Sequence, residues 1–131
     1  MQIQRKQSLV KIDIVDEDQN KLGQIAFNPR DARIYDKFLD ISIRVRSVPV
    51  IPDVTAEMTV KEIEQVRTIF NEVDTLYKGI CEELDNIFGQ GTSSIITMDA
   101  FDLNALSDFV TSILPFFQVE SESRVVQYLE D

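Results

Sequence analysis

Eight apolar side chains in the middle of the chain fall at intervals that only one kind of secondary structure aligns. Ile63, Val66, Phe70, Val73, Tyr77, Ile80, Leu84 and Ile87 are separated by three and four residues in unbroken alternation. That spacing places them along one stripe of an α-helix and on no single face of a strand. Thr59, with Glu62 three residues on, supplies a capping box at the start, and Gly89 supplies a stop. The spacing therefore predicts one helix over 59–88. Ile69 and Leu76 widen the stripe on one flank, Cys81 and Phe88 on the other. Such a helix is about 45 Å long, more than the width expected of a domain this small. The stripe is either the core face of a bundle within one chain, a coiled-coil seam for a second chain, or partly each. Phe70 and Tyr77 suit a two-stranded coil poorly, because β-branched residues fit its first seam position best. The widened stripe favours a core-facing helix.

Around this helix the chain reads as α+β, mostly α: an N-terminal β-hairpin followed by a helical bundle with one long central helix. Its 131 residues suffice for one core and not two. Residues 1–8 are polar and are expected to fray. From Leu9 the pattern alternates, with apolar Leu9, Val10, Ile12, Ile14 and Val15 split by Lys11 and Asp13, a half-buried strand. A polar turn over Asp16–Lys21 leads to Leu22, Ile25 and Phe27, giving a hairpin over 9–27 in which Gly23 marks a bulge or the exit of the turn. Asn28 and Pro29 are expected to start a helix over 29–45, with Ile34, Phe38, Ile41 and Val45 on one face. Its end is ambiguous, since Ile41, Ile43 and Val45 also alternate as a strand would. Pro49 and Pro52 hold a stiff connector over 47–58. After Gly89 a loop is expected. Asp99 or Asp102 then caps a helix over 99–115, which Pro115 kinks or stops. That closes a single domain over 9–117 and leaves 118–131 as a C-terminal tail, either irregular or helical, with a small apolar cluster.

The residue inventory narrows the chemistry. There is no histidine and only one cysteine, Cys81, so the usual general base, an internal disulfide and a cysteine zinc cluster are all excluded. Asp16, Asp18 and Asn20 match the first ligand spacings of a calcium loop. The sixth and twelfth positions, however, are Lys21 and Phe27 where glycine and a bidentate glutamate are needed. Gly89 and Gly91 lack the Gly-Lys-Ser/Thr of a phosphate loop. The acids Glu82, Glu83 and Asp85 read as solvated charges, and Cys81 as a small hydrophobe with no activating base. No catalytic, cofactor-binding or metal-ligating residue is assigned, and the chain is read as not an enzyme.

Charge is uneven. The formal net charge is −10; residues 1–56 carry nine Lys/Arg against eight Asp/Glu, and residues 57–131 carry four against fifteen. That excludes counterion-release binding to nucleic acid or to an anionic membrane. With no signal-like start and no apolar run approaching ~18 residues, a soluble, intracellular protein is expected. An acidic row along the long helix (Glu62, Glu64, Glu72, Asp74, Glu82, Glu83 and Asp85) leaves open a nucleic-acid mimic that blocks a basic protein. Phe109, Ile113, Phe116, Phe117, Tyr128 and Leu129 are candidates for a partner-binding or self-association surface near the C-terminus, because a terminal amphipathic segment either covers the core or docks on another helix.

The order of features resembles a known family. AFNPRDARIYDKF at 26–38 carries a Phe-x-Pro-x-Asp start to a helix. LDNIFGQGTSSII at 84–96 carries an Ile-Phe-Gly-x-Gly-Thr-Ser turn, and LSDFVTSILPFF at 106–117 an aromatic-rich close. Over residues 9–117 the chain resembles the small tail-assembly chaperones of siphophages and prophages, although Ser94-Ile95-Ile96-Thr97 replaces the family's Lys-Ile-Phe-Gly-like stretch. The resemblance implies a non-enzymatic, oligomeric assembly factor. It would bind the tape-measure protein and tail-tube subunits in the cytoplasm of a bacterial host and be absent from the mature virion. A structural head or tail component is the neighbouring alternative.

Overall fold

A computed structural model describes residues 1–3 and 9–130, with side chains as far as Phe117. The fraying expected of 1–8 falls, for residues 4–8, outside the described residues. Two strands, β1 (Val10–Val15) and β2 (Lys21–Phe27), precede four helices: α1 (Ala32–Arg46), α2 (Val60–Phe88), α3 (Thr92–Thr97) and α4 (Leu103–Glu130). The architecture is α+β and mostly helical, as the periodicities predict.

The strands pair antiparallel with Val10 opposite Phe27 and Ile12 opposite Ile25. Alternation then turns Val10, Ile12, Ile14, Ile25 and Phe27 toward the helices and Lys11, Asp13 and Gln24 outward. The turn is built by Asp16, whose carboxylate accepts from the backbone N–H groups of Asp18 and Asn20 at 2.9 Å and from the Asn20 amide at 3.2 Å. Pairing slips between Ile14 and Val15, so the irregularity expected near Gly23 is present. Gly23 itself sits at a close approach. A Cβ there would stand 2.8 Å from Cδ1 of Ile95 on α3, so any side chain at this position would push the end of the Ile95 side chain aside.

Three helix boundaries differ from expectation. First, α1 starts at Ala32 and not at 29. Asn28 accepts from Arg30 N–H through its side chain and from Asp31 N–H through its carbonyl, closing a turn around Pro29. Asp31 is the cap, accepting from Arg33 N–H at 2.9 Å. The strand-like alternation near Ile43 is overruled, for α1 runs unbroken to Arg46. Second, the loop expected after Gly89 contains a short helix, α3. Third, α4 starts at Leu103 and not at 99, with Asp102 as its cap accepting from Ala105 N–H at 3.0 Å, and Pro115 does not stop it: the helix passes through to Glu130, and the tail from 118 continues it. A proline inside a helix removes the N–H that would reach the Thr111 carbonyl. Two residues later, Phe117 is fully buried and anchors the next turn. The connector over 47–58 carries no regular element, as its prolines predict.

The long helix follows its sequence pattern. Thr59 and Glu62 form the reciprocal cap, and Gly89 at φ 113° ends it. Its second half supplies Tyr77, Ile80, Leu84 and Phe88 to a core completed by Ile25, Phe27, Phe38, Ile41, Leu106, Val110, Ile113 and Phe117. Phe117 is the aromatic hub, with ring centroids 4.9 Å from Phe38, 5.1 Å from Phe27 and 5.5 Å from Tyr35.

Candidate interaction surface

The stripe on α2 divides. From Val73 onward its residues are buried or half-buried. The first two repeats are more open: Ile63 is 41% exposed and Phe70 39%, with Val66 half-buried between them, and Val60 one turn before is 73% exposed. The three readings of the seam thus reduce to core for one half and uncovered apolar face for the other. The boundary is marked by Phe101 from the α3–α4 turn. Its ring stacks on Tyr77 at 4.2 Å and reaches Phe70 at 5.6 Å, while remaining 42% exposed. Tyr77 is fixed in turn, because its hydroxyl donates to the Ala100 carbonyl at 2.9 Å and accepts from Asp102 N–H at 3.1 Å. Ile63, Val66, Phe70 and Phe101 therefore form one continuous apolar strip with a rigid end. Phe101 was not identified from sequence; an isolated aromatic between two helices carries no period to reveal it.

The charges around this strip are mixed and mostly acidic. Lys61 and Arg67 stand among Glu62, Glu64, Glu72 and Asp74. Glu62 is held in the helix cap, and Asp74 pairs with Lys78 at 3.0 Å. Asp85 is not the solvated acid expected. Half-buried, it accepts from Ser93 N–H at 2.8 Å and from Ser93 Oγ at 3.1 Å, so α2 provides the cap that α3 lacks in its own sequence. The row of seven acids is therefore not a free string of charges.

Residues predicted for the C-terminal surface separate as well. Ile113 and Phe117 belong to the core, since the helix face that carries them meets Phe27, Tyr35 and Phe38. Neither can be an accessible docking residue in this fold, which corrects the expectation for both. Phe109 is half-buried, edge-on to Phe88 at 5.5 Å. Phe116 remains 40% exposed, with its ring edge-on to Phe27 at 6.4 Å. Tyr128 and Leu129 lie on α4 beyond the residues whose side chains are described.

A shallow cavity of about 300 Å³ opens where the connector crosses α4, lined by Val48, Pro49, Val50 and Ile51 on one side and Leu103 and Ser107 on the other. Another of about 340 Å³ lies among Leu22, Ile95, Met98 and Asp99. Neither gathers converging titratable groups. Burial pushes the Cys81 thiol up from its ordinary value, away from the reactive thiolate. Among the described residues no helix is long and apolar enough to cross a membrane.

Comparison with protein-family models, with curated proteins and with solved structures finds no match to this chain.

Proposed function

We propose that this protein is a non-enzymatic assembly factor that covers an amphipathic helix of another protein with the free half of α2. The observation that carries the reading is the continuation of one heptad stripe past the end of the core, where Ile63 and Phe70 are left uncovered on a capped helix. A stripe of this kind takes a partner helix by apolar contact at seam spacing. The acidic exterior keeps such an assembly dispersed and favours basic flanks on the partner. The resemblance to siphophage tail-assembly chaperones supplies the particular reading. The partner is then a long helical tape-measure protein, with tail-tube subunits recruited afterwards, in the cytoplasm of a bacterial host and without retention in the finished particle.

The test uses the full chain and a synthetic basic amphipathic helix, with calorimetric titration at low and high salt. Binding should survive added salt with a modest loss, because apolar contact is not screened. Ile63→Ser and Phe70→Ser should each weaken it at least about tenfold, as removal of a central anchor does, with helical content unchanged. Equal binding by wild type and both variants refutes the α2 site. Complete loss of binding in salt favours acidic mimicry instead.

A further inference from the structure

We propose that two copies of this chain join through the outer edge of β1, forming a continuous four-stranded antiparallel sheet. The proposal goes beyond the helix-binding reading and does not depend on it. In the two-stranded sheet, β2 lies against α2 and α3, whereas β1, among the described residues, has β2 as its sole strand neighbour. Among the described residues, no backbone hydrogen bond joins Val10–Val15 to anything except β2. The strand is not blunted by proline or by a bulge on its own side, and its inward residues Val10, Ile12 and Ile14 are only half-buried while their partners Ile25 and Phe27 are covered. An edge of that kind is a template for a further strand.

The sequence of β1 selects a second copy as that strand. A two-fold axis perpendicular to the sheet keeps each residue on its own face, so the positions of paired residues must add to an even number. Centring the axis on Lys11 sets Lys11 opposite Lys11, and centring it on Asp13 sets Asp13 opposite Asp13; like charges placed so are destabilising. Centring it on Ile12 sets Lys11 opposite Asp13 twice. It also sets Val10 opposite Ile14 twice and Ile12 opposite itself, all on the half-buried face. One register thus satisfies charge and apolar contact together, and its immediate neighbours violate charge. Asp13 is already approached from β2 by Gln24 at 2.8 Å and Lys21 at 3.4 Å. The carboxylate is therefore held in place on the outward face, where the second copy's Lys11 meets it from the other side.

The experiment is sedimentation equilibrium on the full chain with charge-swapped variants. Wild type should show a monomer–dimer equilibrium. K11D sets acid against acid and D13K sets base against base, so each alone should raise the dimer Kd by about tenfold or more. Mixing K11D with D13K restores both opposite-charge pairs and should yield a heterodimer, and the double variant K11D/D13K should dimerise like wild type. The mixture keeps the test valid even if D13K, which gives up Gln24 and Lys21, loosens its own hairpin. In the wild-type dimer, slowed amide exchange should appear along Val10–Ile14. A strictly monomeric wild type, or single variants that associate as wild type does, overturns the proposal. A dimer abolished by Phe70→Ser and indifferent to K11D overturns it as well, by assigning the contact to α2.

Discussion

Phe116 and Phe117 are neighbours on α4 with opposite surroundings. Phe117 is enclosed by three aromatic rings, whereas Phe116 is 40% exposed with its ring 6.4 Å from that of Phe27. Phe117→Ala should cost about 3–5 kcal/mol, read from urea denaturation midpoints, because it removes a large ring and leaves a cavity. Phe116→Ala should cost no more than about 1 kcal/mol. At the same scale, two aspartates on the hairpin set an acid dependence. The Asp13 carboxyl is held below its ordinary value by the Gln24 amide and then by Lys21, and Asp16 by the backbone N–H of Asn20. A folded-state value below the unfolded one means that the stability they give is present above the ordinary carboxylate range and is lost as pH falls through it. Asp16→Asn should therefore flatten the acid limb of a stability–pH curve while leaving its basic limb unchanged.

At the scale of elements, the helix that the spacing marks most strongly is the one the structure reproduces most closely. The stripe, the Thr59–Glu62 box and Gly89 are all local signals, and α2 begins and ends where they stand. The hairpin was legible for the same reason, since alternation and a polar turn need no knowledge of the rest of the chain. Three features were not legible, because each depends on something distant in sequence. The short helix α3 takes its cap from Asp85 across a turn. α4 continues through Pro115 because Phe117 is seated among residues of β2 and α1. Two residues of the predicted C-terminal surface, Ile113 and Phe117, are core because periodicity marks an apolar face without saying what covers it. Two substitutions probe this level. Thr59→Ala should lower stability by about 1 kcal/mol through loss of the cap. Pro115→Ala should raise it by about 1–3 kcal/mol, since the exposed site regains a helical hydrogen bond. Thermal unfolding followed by far-UV circular dichroism checks both.

The whole molecule combines a balanced N-terminal part with an acidic remainder, fifteen Asp/Glu against four Lys/Arg from residue 57 onward. Among the described residues of this part, Asp74 alone has an ion pair, with Lys78, so the folded state repels itself, and screening should relieve that. Moderate sodium chloride should raise Tm by roughly 2–5 °C, measured by scanning calorimetry. The way Tyr77 is held has a practical optical consequence. The chain contains no tryptophan and three tyrosines, so its intrinsic near-ultraviolet emission is tyrosine emission alone. One of those fluorophores has its phenol clamped by Ala100 and Asp102 and its ring stacked on Phe101, at the junction between the covered and uncovered halves of α2. A guest settling on Phe70, as proposed, would meet Phe101, the ring stacked on Tyr77, so a change in tyrosine emission is the expected unlabelled signal of its binding.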